Sequence, residues 1–156
     1  MRATRPIVRR FLWVGVGTAA LLLAGCAGPT DKAGRPTLTG SQEVPPVNTT
    51  ATGTADIAIH QFKCPAVTSG YNCATVVGFI QTNGINPTAV HIHMAPAGQN
   101  GPVIVTLTKT TDSVWSVPPN TVVTDDQYRA WWAGNTYVNA HTAANPGGEI
   151  RAQLHP

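Results

Sequence analysis

Five histidines occur in the 156 residues, and three of them are spaced as a metal site would need. His91-Ile92-His93 puts two imidazoles two positions apart. On a β-strand, residues i and i+2 share a face with their Cα atoms about 6–7 Å apart. Two imidazoles at that spacing can converge on one metal ion, while Ile92 turns the other way, into a core. His141 ends a second run of strand character, Thr136-Tyr-Val-Asn-Ala-His141. It supplies a third nitrogen if the two strands face one another across the mouth of a sandwich. Imidazole suits copper and zinc, and three neutral nitrogens with an open position make a reactive site rather than a closed structural one. The bland alternative is that the histidines hydrogen-bond turns and each other. His60 and His155 are weaker ligands, the first beside a loop and the second penultimate in the chain. Met94 is a soft atom close to His93, though core packing is its ordinary use.

The elements that must position these residues are strands. Short runs rich in Thr, Val and Ile alternate with Gly, Pro and Asn, which predicts an all-β domain. The expected strands are residues 52–60, 73–81, 88–94, 103–108, 113–117, 136–141 and 149–154. Ala55, Ile57 and Ile59 alternate with Asp56 and Ala58, so one face of the first is buried. One segment departs from this pattern. Thr124-Asp-Asp-Gln127 is a capping box, followed by Tyr128, Trp131 and Trp132 at helical spacing and by Gly134 as a stop. A short helix is expected over residues 125–133, its aromatic side plugging a sheet edge. Many short strands with turn residues between them favour a Greek-key sandwich or barrel, like a superoxide dismutase or an immunoglobulin domain.

The N-terminus carries a different kind of signal. Arg2, Arg5, Arg9 and Arg10 precede an apolar run, Phe11 to Leu23, and then Leu23-Ala24-Gly25-Cys26. Positive charge, a short apolar segment and small residues are what a secretory signal requires. The final tetrapeptide resembles the bacterial lipobox, which implies that residues 1–25 are removed and Cys26 is acylated. The domain would then hang from a membrane through residues 26–36, in the outer membrane if the host is Gram-negative. Beyond residue 25 the chain holds six Lys and Arg against all seven acids, so its basic character belongs to the export segment. A nearly neutral surface is a poor partner for nucleic acid. Residues 37–156 suffice for one domain. In an oxidising compartment Cys64 and Cys73 are expected to form a disulfide; the alternative, a two-cysteine metal site, has no neighbouring ligand.

Three stretches carry a family resemblance. They are residues 38–47 (Leu-Thr-Gly-Ser-Gln-Glu-Val-Pro-Pro-Val), Ala89-Val-His-Ile-His-Met94 with Gly98-Gln-Asn-Gly-Pro102, and residues 133–142 with 145–154. In this order they resemble the CHRD domain, which implies a β-sandwich and no settled activity. A second, local likeness joins the His-x-His strand to Gly134-Asn-Thr-Tyr-Val-Asn-Ala-His141 and Arg151. These are similar to motifs of copper/zinc superoxide dismutase. That likeness implies copper on His91, His93 and His141, with Arg151 guiding a small anion such as superoxide. Residues 94–102 contain no His, Asp or Glu, so no bridging zinc site is expected. Arg151 has a plainer use, an ion pair with Glu149, and Glu43 is expected to pair with an arginine at the core edge. No nucleophile elbow or phosphate loop occurs, which leaves hydrolase chemistry without support. Two classes of function remain: a copper-binding redox domain, or a non-catalytic envelope module that recognises a protein or glycan.

Overall fold

A computed structural model describes residues 34–63 and 72–156. The expected signal segment, Cys26, most of the tether and the expected Cys64–Cys73 bond lie outside the described residues.

The strands are β1 (Thr37–Thr39), β2 (Thr52–Lys63), β3 (Asn72–Asn83), β4 (Ala89–Met94), β5 (Val103–Thr106), β6 (Thr108–Lys109), β7 (Val114–Ser116), β8 (Val122–Val123), β9 (Thr136–His141) and β10 (Ile150–Leu154). They form one antiparallel sheet in the order β5-β4-β9-β10-β1-β2-β3-β7-β6, with β8 also paired to β3. The two ends of that order, β5 and β6, are separated in sequence by Leu107 alone. The sheet must therefore roll until its ends approach. Leu107 is buried at this junction, and its N–H donates to the Val90 carbonyl at 3.0 Å. The all-β expectation holds in its barrel form: a single rolled sheet, nearly closed, with one short helix.

Period-two patterning explains the core. In β2 and β3, Ala55 pairs with Ile80 and Ile59 with Val76, so their side chains share the inner face. Leu38, Val90, Ile92, Val138, Ala140, Ile150 and Leu154 complete a continuous apolar interior. Each such Leu, Ile or Val contributes about 1.5–3 kcal/mol when taken from water. The helix α1 (Asp125–Trp132) forms because its cap is complete. Thr124 Oγ1 accepts from the Gln127 N–H, and Gln127 Oε1 accepts from the Thr124 N–H at 2.9 Å. Asp125 and Asp126 lie in the first turn, where the helix dipole favours them. α1 packs on β2 and β3 through Trp131, which is buried. Trp132 is 59% exposed, so only one of the two tryptophans is a plug. Adjacent helical positions point about 100° apart and cannot both face the sheet.

β9 and β10 are buried on both faces, and this is the feature that builds the site. Their inner residues join the core. Their outer residues, Tyr137, Asn139, Arg151 and Gln153, are polar and equally buried. Loops cover them. One is the strap through residues 40–47, which starts in a 3-10 turn (Gly40–Gln42). The Gly40 carbonyl accepts from both the Glu43 and Val47 N–H groups. The strap is tied to the second loop, residues 95–102, where Asn100 Nδ2 donates to the Val44 carbonyl at 2.7 Å.

Candidate functional site

β4 and β9 are hydrogen-bonded neighbours in the sheet. Ala89 pairs with His141, His91 with Asn139 and His93 with Tyr137. The third imidazole thus comes from the adjacent strand, not from across a sandwich mouth as the sequence suggested. His91, His93, Tyr137, Asn139 and His141 share the outer face, and Arg151 of β10 joins them opposite Asn139. Ile92 faces the core as expected. Met94 follows His93 directly on β4, so strand alternation turns it to the other face, away from the imidazoles. His60 is exposed on β2, and His155 lies beside Gly134; neither joins the cluster.

The three histidines offer nitrogens that all lie within 4.8 Å of one another. A tetrahedral ion with bonds near 2 Å wants ligand nitrogens about 3.3 Å apart, so the widest pair must close by roughly 1.5 Å. Backbone carbonyls fix two of the three tautomers. His93 Nδ1 is 2.9 Å from the Gly101 carbonyl, and His141 Nδ1 is 3.0 Å from the Pro146 carbonyl. A carbonyl only accepts, so both Nδ1 atoms carry the proton and both Nε2 atoms present a lone pair. His93 Nε2 is buried without a partner. His91 Nδ1 lies 3.0 Å from His141 Nε2 and donates to it in the ion-free protein. Holding an ion would ask one tautomer change of His91 and none of the others. Burial pushes the pKa of all three below the ordinary imidazole value, and repulsion from the neighbouring rings pushes His91 and His93 further in the same direction. The neutral, ligand-competent form is thereby favoured.

A stack supports His93. Its ring lies parallel to that of Tyr137, with centroids 4.7 Å apart and planes 4° apart. On the far side of Tyr137 the Arg151 guanidinium carbon sits 3.4 Å from the ring centre. A desolvated cation over an aromatic face is worth about 2 kcal/mol. Arg151 is 1% exposed and donates to Asn100 Oδ1, the Pro96 carbonyl and Gln153 Oε1 at 3.3, 3.5 and 3.3 Å. The expected anion-guiding Arg151 is therefore an interior side chain, and Tyr137 stands between it and His93. Nor does it pair with Glu149, whose carboxylate takes the Thr142 and Thr49 hydroxyls at 2.6 and 2.9 Å. The acid that feels Arg151 is Glu43, but by attraction at longer range and not through the ion pair expected from the strap motif; the Arg151 hydrogen bonds go to Asn100, Pro96 and Gln153. Glu43 is 4% exposed, and burial raises its pKa to about 7 against the attraction of Arg151.

Sequence reasoning missed Tyr137 and Asn139 as parts of the site. Both precede His141 at two-residue steps, so the signal was the same alternation that linked His91 to His93. The carbonyls of Gly101 and Pro146 carried no side-chain signal at all.

No curated protein and no solved structure matches the chain. A family model for the CHRD domain matches residues 35–154, which takes in the whole rolled sheet and every residue of the histidine cluster. Domains of this family are generally extracellular. Among the described residues no helix is long and apolar enough to cross a membrane. The strap, the His-x-His strand and the final hairpin are thus parts of one family pattern, and the chain belongs to the CHRD domain family.

Proposed function

We propose that this domain binds one copper ion through His91, His93 and His141. The observation that supports the reading is the convergence of three imidazoles, two with carbonyl-fixed tautomers and one with an unpartnered, buried ring nitrogen. An all-imidazole set of borderline softness suits copper, and zinc less selectively. Three nitrogens leave a side open, where a small anion such as superoxide can reach an ion able to alternate between two oxidation states. Superoxide dismutation and copper handling are the activities such a centre fits. Arg151 serves it from behind, holding Tyr137 and hence the His93 ring. The lipid at Cys26 would keep the domain at the outer side of a bacterial membrane.

Metal analysis and copper titration of protein purified without a histidine tag test the reading. The wild type should take up one copper per chain, and the triple His91→Ala/His93→Ala/His141→Ala variant none. Equal uptake by both would reject the site and leave the non-catalytic binding module, which recognises a protein or glycan, as the better account.

A further inference from the structure

Among the described residues, five buried side-chain atoms have no hydrogen-bond partner: Glu43 Oε1, His93 Nε2, Asn139 Oδ1, Trp115 Nε1 and Thr136 Oγ1. Native interiors leave few such atoms, and each asks for an explanation. Three of the five belong to one contiguous set. The Asn139 amide lies against both the His93 ring and the Glu43 carboxyl. Asn139 also stands directly opposite His91 in the strand register, where facing Cβ atoms are about 4.5–5.5 Å apart. It is 2% exposed, so water does not satisfy it from outside.

The orientation of the amide follows from its surroundings. An ideal Cβ on Gly148 would lie 2.5 Å from Glu43 Oε1 and 2.6 Å from Asn139 Nδ2. The NH2 end of the amide and the carboxyl therefore meet beneath the bare Gly148 backbone. A donor belongs beside a carboxyl, which turns the carbonyl end, Oδ1, toward the imidazoles. There it meets His93 Nε2, whose proton sits on the other ring nitrogen facing Gly101. A hydrogen bond joins these two atoms only when His93 also takes a proton on Nε2, which the Asn139 oxygen favours; in the neutral ring, with its proton on Nδ1, two buried lone-pair atoms face one another and repel. A cation between them converts that repulsion into two bonds.

We propose that Asn139 lends its carbonyl oxygen to the same ion as a fourth contact, with Glu43 holding the amide so that this oxygen faces His93. The inference rests on the three-histidine reading and adds a selectivity to it. Three nitrogens and one oxygen suit Cu²⁺, whereas Cu⁺ takes softer ligands and gains little from an amide oxygen. Asn139 thus biases the centre toward the oxidised ion.

The test uses the full-length chain and competition titrations with Cu²⁺ and, under reductant, Cu⁺, together with the electron paramagnetic resonance spectrum of the Cu²⁺ form. Asn139→Leu keeps the volume and removes the oxygen. It should weaken Cu²⁺ by about tenfold or more, the usual cost of losing a group that supports a metal site, and leave Cu⁺ nearly unchanged. Asn139→Asp keeps an oxygen toward His93 but loses the NH2 donor to Glu43; it should hold Cu²⁺ more tightly than Asn139→Leu does, with a spectrum shifted from wild type. Wild-type Cu²⁺ affinity and spectrum in Asn139→Leu, or an equal loss for both oxidation states, would overturn the proposal. If Asn139→Leu loses its folded circular dichroism, Asn139→Asp decides alone, and an unchanged spectrum overturns it. His91→Ala separates the two levels, because it should lower both oxidation states. A wild type that binds copper in a manner indifferent to His91 defeats the three-histidine reading itself, and the proposal with it.

Discussion

Replacing Glu43 by glutamine in the metal-free protein should make the fold more stable at alkaline pH and leave it nearly unchanged in mild acid. Glu43 is buried beneath the strap, and its pKa rises from 4.5 to about 7. Below pH 4.5 the folded and unfolded chains both carry the proton. As pH rises toward 7 the unfolded chain releases it first, so stability falls across this window and the loss is complete above it. A displacement from 4.5 to about 7 corresponds to about 3 kcal/mol. Glutamine has the shape of the protonated acid at every pH and escapes the loss. Urea unfolding of wild type and Glu43→Gln at pH 5 and pH 8.5 gives the comparison. Histidines titrate alike in both chains and cancel in the difference. The variant should gain up to about 3 kcal/mol over wild type at pH 8.5 and less than about 1 kcal/mol at pH 5. A difference that does not change with pH, or a variant less stable at pH 8.5, would refute the idea that burial outweighs the attraction of Arg151 at this carboxyl.

Gly148→Ala forces a Cβ onto Glu43 and Asn139 at a backbone φ of +130°, and should cost about 2 kcal/mol or more by thermal melting while weakening copper uptake. Trp131→Ala should cost about 3–5 kcal/mol, whereas Trp132→Ala should stay within about 0.5 kcal/mol; similar losses in denaturant titration would contradict the one-sided packing of α1. Because burial lowers all three imidazole pKa values, copper uptake followed against pH should be half lost below 6.5, and a midpoint above 6.5 would count against neutral, buried ligands. Cys26→Ser should move the protein from the membrane fraction to the soluble one, with loss of lipid label.

The parts of this molecule that were legible in its sequence are the local ones. The capping box at Thr124 specified its helix because every atom it uses lies within three residues. His91 and His93 were legible as a same-face pair because strand alternation needs no partner. His141 was legible as the end of a strand, but its neighbour was not, since the order β4-β9-β10 is set by long-range pairing. β1 and β8, three and two residues long, are too short to show a period. The buried polar face was hidden for a related reason. Arg151 reads as a surface charge until residues 95–102, about fifty positions earlier, are known to cover it. That contact lies outside the reach of any local pattern, and it makes Arg151 part of the foundation of the site.

The junction at Leu107 bears on how copies of the domain behave when crowded. An exposed strand edge is a template on which a second chain can add its own strand, and the hazard grows with the length of the edge. Here the outermost strands have four and two residues. The shorter consists of Thr108 and Lys109, both exposed, with the lysine drawn to Asp112 at 2.9 Å. A charged residue on so brief an edge discourages pairing between chains. At these two edges a neighbouring copy of the domain finds little backbone on which to add a strand of its own.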